Sequence, residues 1–126
     1  PWLCIPLAID FLGGLVEGGW AGIMERNRSL ALEGRRILCN ALGTTEPVPD
    51  SLVSSIASVE MPGEEEVGPM SMEGDPYHNL LLDEFGVQVP VFPWKHHGRR
   101  YIRISAQLYN SVEEYEFLAE CLKQSM

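Results

Sequence analysis

Arg103 stands in the run Tyr101-Ile102-Arg103-Ile104-Ser105-Ala106-Gln107-Leu108-Tyr109-Asn110, where it alternates with two isoleucines. That alternation predicts a strand with Ile102 and Ile104 turned inward and Arg103 restrained by its scaffold. A planar guanidinium can grip a carboxylate through two parallel hydrogen bonds, which a lysine ammonium cannot do. Residue type and spacing leave two fates open for Arg103. One is a surface ion pair, the commoner fate, and the other is a carboxylate site.

Other reactive side chains fall into no recognised arrangement. There is no Gly-x-Ser-x-Gly, and Cys4, Cys39 and Cys121 lie far apart with no Cys-x-x-Cys spacing, so neither a nucleophile nor a metal ligand is assigned. Cys39 and Cys121 fall in apolar helical patterns and are expected as buried free thiols, which suits the cytosol. His78 belongs to a helix, and His96-His97 to a turn without the helical spacing of a zinc protease. Gly13-Gly14 and Gly18-Gly19 flank helix ends and lack the context of a phosphate-binding loop. The chain has two lysines, Lys95 in a hairpin tip and Lys123 near the C-terminus. No residue is assigned a catalytic role.

The elements that must position Arg103 follow from periodicity. Ile5 to Glu17 places apolar residues at three- and four-residue steps, one helical face, and Gly18-Gly19 stops it. A second helix is predicted from Trp20 to Leu42. Its stripe is Trp20, Ile23, Met24, Asn27, Leu30, Gly34, Leu38 and Ala41, with Arg26, Arg28 and Arg35 among the polar positions and Gly43 as C-terminal cap. Leu52 to Met61 reads as a strand. Residues 62–74 form an acidic loop whose glutamates are expected to be solvated. Asp75 caps a helix with Pro76 at its first position, ending at Gly86. Val87, Val89 and Val91 make a short edge strand, which pairs in a hairpin with Arg99 to Ser105. Ser111, with Glu114 three residues on, opens the last helix through a capping box. Its inner face carries Val112, Tyr115, Leu118, Ala119 and Leu122. The fold class is α+β, a small mostly antiparallel sheet covered by helices.

The bulk numbers agree with one domain over residues 1–126. The apolar share is 45% and the charged share 21%, ordinary for a globular chain. A net charge of −9 argues against a nucleic-acid footprint. The apolar opening lacks a basic flank and is broken by Asp10, so it is neither signal peptide nor membrane span. Because the chain starts Pro1-Trp2-Leu3 and enters an apolar helix at once, a cut inside a larger protein is expected.

The ordered motifs resemble a known family. Ile102-Arg103-Ile104-Ser105, then Leu108-Tyr109-Asn110-Ser111 and Glu113-Glu114, is similar to the C-terminal signature of class V aminotransferases. Phe85-Gly86-Val87-Gln88-Val89-Pro90-Val91 and Pro1-Trp2-Leu3-Cys4-Ile5-Pro6-Leu7-Ala8-Ile9 resemble its isopenicillin N epimerase-like branch, as does the Arg28-to-Gly43 helix. The resemblance implies the C-terminal small domain of a pyridoxal-phosphate enzyme acting on an amino acid. Arg103 then corresponds to the arginine that binds the substrate α-carboxylate, while Ser105, Tyr109 and Asn110 hold the strand-to-helix turn. In such enzymes the cofactor is the electron sink for a carbanion at the α-carbon. The resemblance also implies that the cofactor-bearing large domain is absent from this sequence. Neither Lys95 nor Lys123 suits a Schiff base, so the chain alone is expected to bind no cofactor and to be inactive. Apolar surface left by that absence predicts a homodimer or higher oligomer. The competing expectation is a non-catalytic binding module using Arg99, Arg100, Arg103 and His96-His97 to hold an acidic partner.

Overall fold

A computed structural model describes residues 2–63, 75–94 and 98–126. After a short 3-10 helix at Trp2–Cys4 come α1 (Ile5–Gly13), α2 (Gly19–Leu42), β1 (Ile56–Glu60), α3 (Pro76–Phe85), β2 (Val91–Trp94), β3 (Arg99–Ser105) and α4 (Val112–Ser125). The α+β class and the order of elements agree with the sequence.

The three strands run antiparallel in the order β1-β3-β2, which puts the Arg103 strand in the centre. Register sets the two faces. Ala57 pairs with Ile104, and Val59 with Ile102, which also pairs with Val91. All five are buried and form the inner face. Ser58 pairs with Arg103 and Ile56 with Ser105, while Tyr101 lies between Glu60 and Phe92 on the outer face. Helices α2 and α4 pack together, and α2 also lies on β1 and β3. Leu38, Leu81, Ile102 and Leu122 are wholly enclosed between these layers. At Gly34 an added Cβ would sit 2.8 Å from the Tyr115 ring and 3.0 Å from Ile104. The glycine therefore permits the close approach of α2, α4 and β3.

The caps act as expected. Asp75 accepts from the Tyr77 backbone N at 3.0 Å, and Pro76 opens α3. Gly43 and Gly86 end α2 and α3 in left-handed conformations. Ser111 and Glu114 form the capping box of α4.

Four expectations are corrected. Helix α1 stops at Gly13 rather than Glu17 and buries no residue. The first strand is confined to Ile56–Glu60, because Asp50–Leu52 turns into a 3-10 helix. Strand β2 begins at Val91, yet Val87–Pro90 still runs beside the sheet, the Pro90 carbonyl accepting from the Arg103 backbone N at 3.0 Å. Within the α2 stripe, Trp20 and Met24 are exposed, whereas Arg35 has no exposure at all. The apolar pattern there continues beyond the part of α2 that packs on the sheet, and Arg35 is buried because the following loop folds back over it. Residues 64–74 of the acidic loop lie outside the described residues.

Candidate functional site

Arg103 projects from the middle strand on the face opposite the core, between buried Ile102 and Ile104. It borders an open groove of about 280 Å³, together with Gln88, Pro90, Ser105, Tyr109 and Asn110. The engagement of the guanidinium sets it apart from the other six arginines. Arg26 donates to the Gln107 and Asn110 carbonyls, and Arg28 to the Asp50 carbonyl. Arg35 and Arg36 hold Glu46 and Asp50. Arg99 pairs with Glu60, and Arg100 with Asp75 while stacking on Tyr77. Arg103 alone has no side-chain partner among the described residues. A planar guanidinium without a partner among the described residues, held on a central strand, is suited to binding a carboxylate through two N–H groups.

The turn after β3 is braced from several sides, which fixes the far wall of this groove. Asn110 Oδ1 accepts from the Gln107 backbone N at 2.9 Å, and Asn110 Nδ2 donates to Glu114 Oε2 at 2.8 Å. Glu114 is thereby occupied with the turn and the α4 start. From α2, Arg26 takes two carbonyls of the turn at 3.1 Å each, and Asn27 donates to Gln107 Oε1. The Tyr115 hydroxyl donates to the Ser105 carbonyl at 2.8 Å. Burial, reinforced by the Glu114 charge and partly offset by Arg26, pushes the Tyr115 pKa up, so that hydroxyl keeps its proton. Asn110 therefore holds the strand-to-helix turn, whereas Tyr109 is exposed. Arg26 and Asn27 do the same from a distance. Only Asn27 left a trace in the sequence, a polar residue within the apolar stripe of α2, which calls for a buried partner.

The remaining candidates do not converge on Arg103. His78 Nδ1 contacts the Val89 carbonyl at 2.7 Å, tying α3 to the segment before β2. Cys39 and Cys121 are buried free thiols, pushed up in pKa first by burial, and Cys4 is exposed. Lys123 lies exposed in the last turn of α4. Lys95, His96 and His97 lie outside the described residues. Among the described residues no group of His, Cys, Asp and Glu is placed to hold a metal, and no helix is long and apolar enough to cross a membrane.

No family model matches the chain. Curated relatives do. Isopenicillin N epimerase of Amycolatopsis lactamdurans is 32% identical over 127 residues, covering 98% of this chain and 29% of the relative. L-cysteine desulfhydrase of Arabidopsis thaliana is 28% identical over 138 residues, covering 97% of this chain and 29% of the relative. A protein of Oryza sativa subsp. japonica is 31% identical over 143 residues, 97% of this chain and 28% of its own length. Isopenicillin N epimerase is also the name of the branch that the sequence motifs resemble. The chain spans less than a third of the length of the relatives it matches. A pyridoxal phosphate, which the resemblance implies, needs a lysine for its Schiff base, and among the described residues no lysine lines the Arg103 groove, so these residues do not fit that cofactor.

Proposed function

We propose that this chain is the C-terminal small domain of a pyridoxal-phosphate-dependent, class V aminotransferase-like enzyme acting on an amino acid, and that Arg103 binds the substrate α-carboxylate. The observation that carries this reading is the unengaged Arg103 guanidinium, set on a central strand beside an open groove. A carboxylate held there by two parallel hydrogen bonds has its Cα placed and oriented, which is a positioning contribution to any reaction at that carbon. The cofactor and its lysine belong, in this proposal, to parts of the enzyme outside these residues. A homodimer in the cytosol is part of the same proposal, consistent with the buried free thiols Cys39 and Cys121. A binding module built on Arg99, Arg100 and Arg103 is less favoured, because Glu60 and Asp75 already engage the first two.

The test is the intact mass of the protein encoded with this chain, read together with its absorbance after pyridoxal phosphate is added. A heavier protein that takes up a yellow, lysine-bound cofactor is expected. A protein of this same mass with no cofactor uptake would overturn the enzyme reading.

A further inference from the structure

The outer face of the sheet carries a second, larger groove of about 420 Å³, lined by Val48, Leu52, Ile56, Phe92, Trp94 and Tyr101. Four of these, Val48, Leu52, Ile56 and Trp94, are exposed large apolar residues, a concentration that a lone surface does not favour. Phe92 and Tyr101 stack with ring centroids 6.2 Å apart to form its floor. The wall formed by Pro47, Val48 and Leu52 is held by Arg35, which binds the Val48 carbonyl at 2.8 Å and the flanking Glu46 and Asp50 carboxylates. Arg103 lines the smaller groove and not this one, but is linked to it through its neighbours on the sheet. Its cross-strand partner Ser58, a small residue that lines the groove, lies roughly 5 Å away by pairing geometry. Tyr101 is its same-face neighbour on β3, about 7 Å along the strand.

We infer that this groove is the pocket for the substrate's side chain, and that it selects amino acids with an extended apolar group over short ones. The inference rests on the carboxylate role of Arg103. A ligand anchored there by its carboxylate can cross the small Ser58 and lay an apolar chain on the Phe92–Tyr101 floor. A free cation with an apolar groove one cross-strand neighbour away is complementary to a carboxylate that bears an apolar tail.

Two unreactive carboxylates test it in the full-length protein by isothermal titration, propionate and 3-phenylpropionate. The phenyl compound is expected to bind about tenfold tighter or more. Ile56→Ala and Trp94→Ala, towards opposite ends of the groove, are each expected to reduce that advantage several-fold. Arg103→Gln is expected to weaken both ligands alike. If Arg103→Gln weakens both but the phenyl compound has no advantage, or keeps it in both groove variants, the side-chain pocket is overturned and the carboxylate site stands. If Arg103→Gln changes neither affinity, the carboxylate site falls and the pocket falls with it. Circular dichroism of each variant checks the fold. Where Trp94→Ala fails to fold, the exposed Ile56 position decides.

Discussion

A guanidinium taken out of water is stable only when its N–H groups and its charge are matched. Arg35 meets most of that condition, since the Val48 carbonyl, Glu46 and Asp50 take its two terminal nitrogens and its charge while Nε is buried without a partner among the described residues, and these contacts fasten the loop after α2 to the helix. Both carboxylates remain partly exposed and can be resolvated, so Arg35→Ala loses packing and the tether without stranding a buried charge. A loss of about 3 kcal/mol is expected, read from urea unfolding midpoints. Cys39 gives a pH signature. Burial raises its thiol pKa, so the unfolded chain releases this proton at a lower pH than the native one. Its contribution to stability is complete below the unfolded thiol pKa, about 8.5, and is lost as pH rises above it. Cys39→Ala in reductant is expected to flatten part of this alkaline slope, and a slope unchanged by the substitution would discount Cys39. The sequence showed Arg35 only as a charge on a helix. Its burial depends on a loop folding back eleven to fifteen residues later, which periodicity cannot register.

Helix ends were the most legible elements, because their chemistry is local. Asp75, Gly86, Gly43 and the Ser111–Glu114 box are determined by residues within a turn of each boundary. Asp75 also binds Arg100 at 2.7 Å while nearly buried, so the cap and the ion pair can be separated. Asp75→Asn keeps an oxygen for the Tyr77 N–H but loses the charge, and Asp75→Ala loses both. The alanine variant is expected to be less stable than the asparagine variant by about 1 kcal/mol, measured as a difference in denaturant midpoint. Equal stabilities would mean that the side-chain cap contributes nothing. The β2 boundary was less legible. Alternating valines at 87, 89 and 91 carry a strand pattern, but Pro90 has no N–H to donate and regular pairing starts only at Val91. The β3–α4 turn was legible only as a motif, since its braces from Arg26 and Asn27 come from eighty residues away in sequence.

Across the whole molecule the uneven distribution of apolar surface stands out. Among the described residues helix α1 makes its principal contacts with α2 and the short helix before it, and the two leave Leu3 95% and Phe11 65% exposed, with Trp2 and Leu7 exposed as well. Surface of this kind drives association, so the chain alone is expected to form a dimer or larger species. Light scattering at high protein concentration tests this, and a clean monomer would count against it. The helical period of α1 was plain in the sequence, but which surface covers its face is not a property of the segment itself. In the proposed function one side chain, Arg103, joins this chain to the rest of an enzyme. In the full-length protein, Arg103→Lys keeps the charge and removes the two-pronged geometry. Steady-state kinetics with the amino-acid substrate is the direct measurement. KM is expected to rise at least about tenfold, and an unchanged KM would remove Arg103 from the substrate site.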